Sequence, residues 1–213
     1  MAKQNSILAL VTGKGGSGKS TLACCLAAHY AEKGRTVTLI DGDPQGGASA
    51  WHAAPGPLQT RVRLLNDPST GITKLARQAA TDALVIIDAA GFATQSTVAA
   101  IEAADCVLIP CRPSALDALR AIEMVQLARD IGKAQGRRLR VLVTLNAVQH
   151  GVAVTDHIRA ELTAAKTTVT NAEVGQRTAF AVAALNGTAP IWMGATAEKA
   201  ADEIASLAKE LDL

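Results

Sequence analysis

Short aliphatic and β-branched runs alternate along this chain with longer stretches whose apolar positions recur every three or four residues. Residues 7–11, 37–40, 84–87, 106–109 and 140–145 read as strands, with 61–65 as a short edge strand and 167–170 as a weak one. Residues 18–33, 71–80, 94–103, 114–133, 152–165 and 196–211 read as helices. Gly34 ends the first of them, and Ser114 is placed to cap the fourth. The strands are apolar at every position rather than at alternate ones. That pattern belongs to strands covered on both faces, so the chain predicts an α/β fold with a mostly parallel sheet and helices on both sides. Residues 52–60 and 171–190 are the least regular, and the first, with Pro55-Gly56-Pro57, reads as a surface loop. No repeat, low-complexity tract or linker divides residues 1–213, so a single domain is expected.

Composition adjusts this picture in two places. Aromatic residues are only 2% of the 213 residues, so the core must be built from Ala, Val, Leu and Ile. The formal net charge of +2 permits a local basic patch without demanding a nucleic-acid partner. Cys24, Cys25, Cys106 and Cys111 form no CxxC pair, and reduced core thiols of a cytoplasmic protein are the expectation. The first residues are polar and a strand follows at once, unlike a secretory signal. No apolar run approaches the ~18 residues a membrane span needs.

The chemistry concentrates where the first strand gives way to the first helix. Gly13-Lys14-Gly15-Gly16-Ser17-Gly18-Lys19-Ser20-Thr21 satisfies G-x-x-x-x-G-K-[ST]. Glycines let backbone N–H groups converge on phosphate oxygens, and the helix adds the positive end of its dipole. Lys19 supplies a charge to the β- and γ-phosphates of ATP, and Ser20 a hydroxyl to Mg²⁺. Leu84-Val-Ile-Ile-Asp88 is an apolar strand ending in an acid, which places Asp88 in the crevice where open α/β sheets bind ligands. Asp41-Gly42-Asp43-Pro44-Gln45 sets a second acidic pair at another strand end. Asn146, at the end of a strand, and Pro190, in a late loop, are candidate adenine contacts.

Lys14-Gly-Gly-Ser-Gly-Lys-Ser-Thr21 resembles the deviant Walker A box of the ParA/MinD superfamily. Asp41-Gly-Asp43-Pro-Gln45 looks like its D-x-D-P-Q box, and Asp88-Ala-Ala-Gly91 like its Walker B and switch II. The resemblance covers nearly the whole chain. It implies an ATPase of low intrinsic activity that forms a homodimer when ATP-bound, with Lys14 reaching across to the other subunit's phosphates. It also implies that Asp43 polarises the attacking water and that Ser20, Asp41 and Asp88 serve the Mg²⁺ site. Gly13 through Thr21 would hold the nucleotide, with Lys14, Lys19 and Asp43 catalytic.

Within thirteen residues of the start the P-loop begins, which leaves no room before it for a helix-turn-helix domain. That resembles the small ParA proteins of plasmid partition and their relatives that space carboxysomes or chemoreceptor clusters. The resemblance then implies nonspecific binding of double-stranded DNA by the ATP dimer, a nucleoid location, and release when a ParB- or ParG-like centromere-binding protein or cargo adaptor stimulates hydrolysis. Arg177, in Val174-Gly-Gln-Arg-Thr-Ala-Phe180, falls where relatives carry an arginine; Arg159 and Lys166 are further DNA candidates. Lys133, Arg137, Arg138 and Arg140 make a basic run before a strand. Other readings of the same box are a membrane-associated MinD-like regulator, an iron–sulfur carrier and a dethiobiotin-synthetase-like ligase. The carrier needs paired cysteines that the spacing does not offer, and the terminal helix lacks the aromatic anchors and basic face of a membrane-docking one.

Overall fold

The structure, a computed structural model, describes residues 6–91, 94–149 and 151–213. Seven strands form one parallel sheet: β1 (Ile7–Thr12), β2 (Val37–Gly42), β3 (Arg63–Asn66), β4 (Leu84–Gly91), β5 (Cys106–Cys111), β6 (Arg140–Val148) and β7 (Val169–Gly175). Their order across the sheet is β3-β2-β4-β1-β5-β6-β7, so the order reverses at β1. A crevice opens at that switch point, beyond the strands' C-terminal ends.

The period of two sorts the strand residues onto two faces. Ile7, Ala9, Val11, Val85, Ile87, Val107, Ile109, Val141 and Val143 point to one side. There they meet helices α4 (Ile72–Ala79), α5 (Gln95–Ala103), α6 (Ala115–Ala134) and α7 (Val154–Ala164). Leu8, Leu10, Leu39, Leu84, Ile86, Leu108 and Leu142 point to the other. That side is covered by α1 (Lys19–Glu32) and α9 (Glu198–Leu211), with α2 (Gly47–Ala53), α3 (Pro57–Arg61) and α8 (Thr178–Leu185) at its margin. The predicted parallel sheet with two covered faces is thus the observed one.

Three helices and half a strand lie outside the elements expected from the sequence. Helices α2 and α3 occupy 47–61 and α8 occupies 178–185, while β7 runs on to Gly175. The terminal helix is packed on the domain. Ala200, Ile204, Leu207, Ala208 and Leu211 are buried, and the Tyr30 hydroxyl of α1 donates to the Ala208 carbonyl at 3.1 Å. Among the described residues no helix is long and apolar enough to cross a membrane. All four cysteines are buried free thiols. Burial pushes Cys106 up to about 11 and Cys111 up to about 12, so neither is a ready nucleophile or ligand.

Candidate nucleotide-binding site

On the α1-facing side of the sheet the leucine rows end in polar residues. Leu8 and Leu10 lead to Thr12, Leu39 to Asp41, Leu84 and Ile86 to Asp88, and Leu142 through Thr144 to Asn146. The register sets Asp41 beside Asp88 on adjacent strands. Both carboxylates are fully buried. Such groups are retained only where something compensates them. For Asp41 it is backbone: its Oδ1 accepts from Asp43 N at 3.1 Å and its Oδ2 from Ser49 N at 2.7 Å. The compensation of Asp88 comes from Lys19, whose Nζ lies 2.6 Å from Asp88 Oδ1. Burial still holds the Asp88 carboxyl above its ordinary range, with the charge and hydrogen bond of Lys19 and a hydrogen bond from Ser20 opposing that. Asp88 Oδ2 has no partner among the described residues.

The loop from Gly13 to Gly18 passes over these acids into α1. Gly18 is left-handed, with φ 90°, and gives α1 no side-chain cap. Helices α5 and α6 are, by contrast, capped by Thr94 and by Ser114. The first N–H groups of α1 are therefore free for an anion, which the helix dipole favours. Gly18 is also tied down sterically. A Cβ there would lie 2.1 Å from Asn146 Nδ2, and that amide donates to the Ser17 carbonyl at 2.7 Å. Asn146 thus clamps the loop. Gly15 and Gly16 have open space above them, and the Ser17 hydroxyl is buried without a partner among the described residues.

Lys19, Asp43, Asp88 and Ser20 converge. Lys19 Nζ is 3.4 Å from Asp43 Oδ2, and a Cβ on Gly47 would lie 2.8 Å from the Ser20 hydroxyl. Lys14 is turned the other way: its Nζ lies 2.7 Å from Asp117 Oδ2 in the first turn of α6. Asp117 is nearly buried, and Ser114 Oγ also donates to it. Sequence reading missed Asp117; its signal was the spacing Ser114-x-x-Asp117 of a capping box, of which only the Ser114 cap forms, leaving the acid to the Ser114 hydroxyl and the lysine. Beside Lys14 a cavity of about 370 Å³ is lined by Arg112, Pro113, Ala147, Gln149, Val152 and Gln176, among others.

The remaining candidates fall elsewhere. Pro190 is not at this crevice. It is buried in a 3₁₀ turn, Pro190–Trp192, whose Trp192 donates to Glu32 in the last turn of α1. With 14 residues in α1, that end lies ~20 Å from the loop. The loops that do approach Asn146 are 147–149 and 175–177, joined by Gln176 N donating to the Val148 carbonyl at 2.9 Å. Arg159 pairs with Glu173 at 2.7 Å, and Arg177 forms a two-point pair with Glu203. Lys166 is exposed on a left-handed turn.

Residues 8–191 match the CobQ/CobB/MinD/ParA nucleotide binding domain. The chain is 35% identical over 148 residues to Protein ParA of Rhizobium radiobacter, covering 68% of this chain and 66% of that protein. It is 37% identical over 123 residues to the maintenance of carboxysome distribution protein A of Gloeobacter kilaueensis, covering 57% and 56%. The matched stretch thus spans somewhat less than two thirds of each of these relatives. Among solved structures, the fold is shared with the ATP complex of a Cyanothece McdA variant, at TM-score 0.78 and 16% identity over 99% of this chain and 97% of that one. It is shared too with the septum site-determining protein MinD in complex with Mg-ADP from Pyrococcus horikoshii, at TM-score 0.76 and 18% identity over 98% and 96%. A glycine loop over an uncapped helix, two buried strand-end acids and a match across residues 8–191 agree: the chain belongs to the CobQ/CobB/MinD/ParA family of nucleotide-binding domains.

Proposed function

We propose that the protein is an ATPase of the ParA positioning type, which dimerises on ATP, holds nonspecific duplex DNA and lets go when a partner stimulates hydrolysis. One observation carries the reading: the uncapped start of α1, with Lys19 and two buried acids beneath it and a second lysine, Lys14, reaching away. The first two features suit a triphosphate with a divalent cation. The last suits a site completed by another subunit.

The residues fit Mg²⁺ on their own chemistry. Asp88 has an unpartnered oxygen, Asp41 lies beside it in register, and the Ser20 hydroxyl is within reach of Asp88. These three would hold the ion, which when bound neutralises charge on the β- and γ-phosphates. Lys19 leaves Asp88 and Asp43 to meet the phosphates, because a triphosphate offers it more charge than a single carboxylate. Asp43 is then released to hold a water in line with the γ-phosphorus and accept its proton as the bond to the bridging oxygen breaks. Lys14 supplies charge in trans as an arginine finger does. The loops around Asn146 and Gln176 are offered for the base.

Relatives named for carboxysome distribution and for partitioning support a positioning role, with the cargo set by an adaptor. A MinD-like membrane role is less favoured, because the apolar side of α9 is spent on α1 and β7. The test is size by light scattering, with and without ATP and Mg²⁺, followed by retention on nonspecific DNA. ATP-dependent doubling of mass with DNA retention is expected. Liposome binding without DNA retention overturns the reading. In the same assay Asp43→Ala should dimerise normally but hydrolyse at least tenfold more slowly; wild-type turnover removes Asp43 from the mechanism.

A further inference from the structure

The positive charge of this molecule is unevenly compensated. Arg61, Arg120, Arg159 and Arg177 each lie against a carboxylate. A different set gathers at the opposite end of the sheet from the glycine loop, where α6 ends and β6 begins. Two adjoining grooves of about 440 and 510 Å³ lie there. Both are lined by Arg129 and Arg138; Arg140 joins in the first, Lys133 and Arg137 in the second. Lys166 stands beside them, since Arg129 Nη2 donates to the Lys166 carbonyl at 2.7 Å.

Three of these cations, Arg129, Arg137 and Arg140, are held by carbonyls without being neutralised. Arg137 donates to the carbonyls of Ile101, Glu102 and Ala104, where α5 ends. Arg140 donates to those of Glu210 and Leu211, where α9 ends. A carbonyl satisfies an N–H donor and orients the guanidinium but leaves its charge whole. Among the described residues no carboxylate pairs with any of the six cations. Nearby acids keep their charge too but sit on neutral donors and not on these cations: Asp130 on the Gln126 amide, Glu210 on the N–H groups of Asn171 and Ala172, Asp105 on that of Ile7.

We propose that this basic end, formed by Arg129, Lys133, Arg137, Arg138, Arg140 and Lys166, is the surface that takes the phosphate backbone of duplex DNA. The inference rests on the DNA reading above and moves its location, since Arg159 and Arg177 are already matched by Glu173 and Glu203. Phosphate contact needs exposed, uncompensated cations and no base-reading groups. Arg129, Lys133, Arg138, Arg140 and Lys166 are exposed. A lipid surface fits less well. The large exposed apolar residues, Leu116, Leu119, Val152, Val154, Val182 and Leu185, are all outside this end, and interfacial docking needs them beside the charge. A dimer closed at the glycine-loop end carries the two surfaces on opposite poles, so it holds two duplex segments at once rather than one segment twice.

The test is the triple variant K133Q/R138Q/K166Q, whose three side chains make no hydrogen bond among the described residues. Its ATP-dependent dimerisation is followed by light scattering, and its retention on nonspecific duplex by anisotropy across a salt series. Dimerisation is expected to persist while affinity at low salt falls roughly 100-fold. The slope of log affinity on log salt should fall by roughly 3, since one protomer's surface meets each duplex. The single Arg138→Gln variant carries the same test at about a third of the effect, should the triple variant not dimerise. Wild-type affinity and slope in these variants overturn the surface alone. A wild-type ATP dimer that ignores DNA overturns the DNA reading and the surface together, as does one that binds phosphatidylglycerol vesicles instead.

Discussion

Lys14 and Lys19 sit five positions apart in one loop and meet different acids. Lys19 is buried on Asp88 and Asp43, inside the site it serves. Lys14 is about a third exposed and rests on Asp117, outside it. If Lys14 acts on another subunit's phosphates, it must first leave Asp117. A pair of this exposure is worth about 1 kcal/mol, or roughly fivefold in an equilibrium. Asp117→Asn keeps an acceptor for the α6 cap but removes the charge that holds Lys14. Each dimer frees two such lysines, so the ATP dimer of that variant should form at roughly 25-fold lower protein concentration by light scattering. An unchanged or weakened dimer means that the pair does not restrain Lys14. Lys14→Ala should bind ATP and remain monomeric; a Lys14→Ala protein that still dimerises refutes the role in trans.

At the scale of elements, the loop-to-helix turn and the end of β6 form one unit through Gly18 and Asn146. Gly18→Ala puts a methyl 2.1 Å from the Asn146 amide nitrogen at a φ of 90°. The clash and the strain together should cost about 1–3 kcal/mol and lower Tm by several degrees. Gly15→Ala, with open space around it, should leave Tm unchanged, because the loop there meets solvent. Equal melting of the two variants sinks the clamp. The strands and long helices were legible because apolar runs of the right length, with Gly34 or Ser114 to end or cap them, admit one reading. Helix α8 was not, since Thr178-Ala-Phe-Ala-Val-Ala-Ala-Leu185 is small and apolar on all sides and shows no helical stripe. Helices α2 and α3 are only 7 and 5 residues long, one opening on glycine and the other on proline. The end of β7 was hidden because an edge strand can carry Asn171 and Glu173. The loop, Asp41 and Asp88 were visible as a motif and two strand ends; Asn146 was picked out as a strand-end candidate for the adenine and not as the clamp on Ser17. Asp117 as the partner of Lys14 and the carbonyl anchors of Arg137 and Arg140 were not visible, because these partners lie 33 to 103 positions away in sequence.

Across the whole molecule, charge is divided between the two ends of the sheet. The strands' C-terminal end holds Lys14, Lys19 and Arg112 against Asp41, Asp43, Asp88 and Asp117, three cations to four acids. The other end holds the six uncompensated cations. The first end cannot receive a triphosphate by charge alone, since the phosphates would meet more carboxylates than ammonium groups in a site of low dielectric. On the proposed reading a divalent cation held by Asp88, Asp41 and Ser20 would reverse that balance and free Lys19 from Asp88. ATP affinity should therefore fall at least tenfold in EDTA, and the ATP dimer should disappear. The basic end has no such requirement, so the salt dependence of DNA binding and the metal dependence of dimerisation should separate: raising salt strips DNA from a dimer that persists, whereas EDTA dissolves the dimer and DNA retention with it. A dimer of undiminished size with ATP and EDTA would show that the acids are balanced within the protein and that the metal has no part in closing the site.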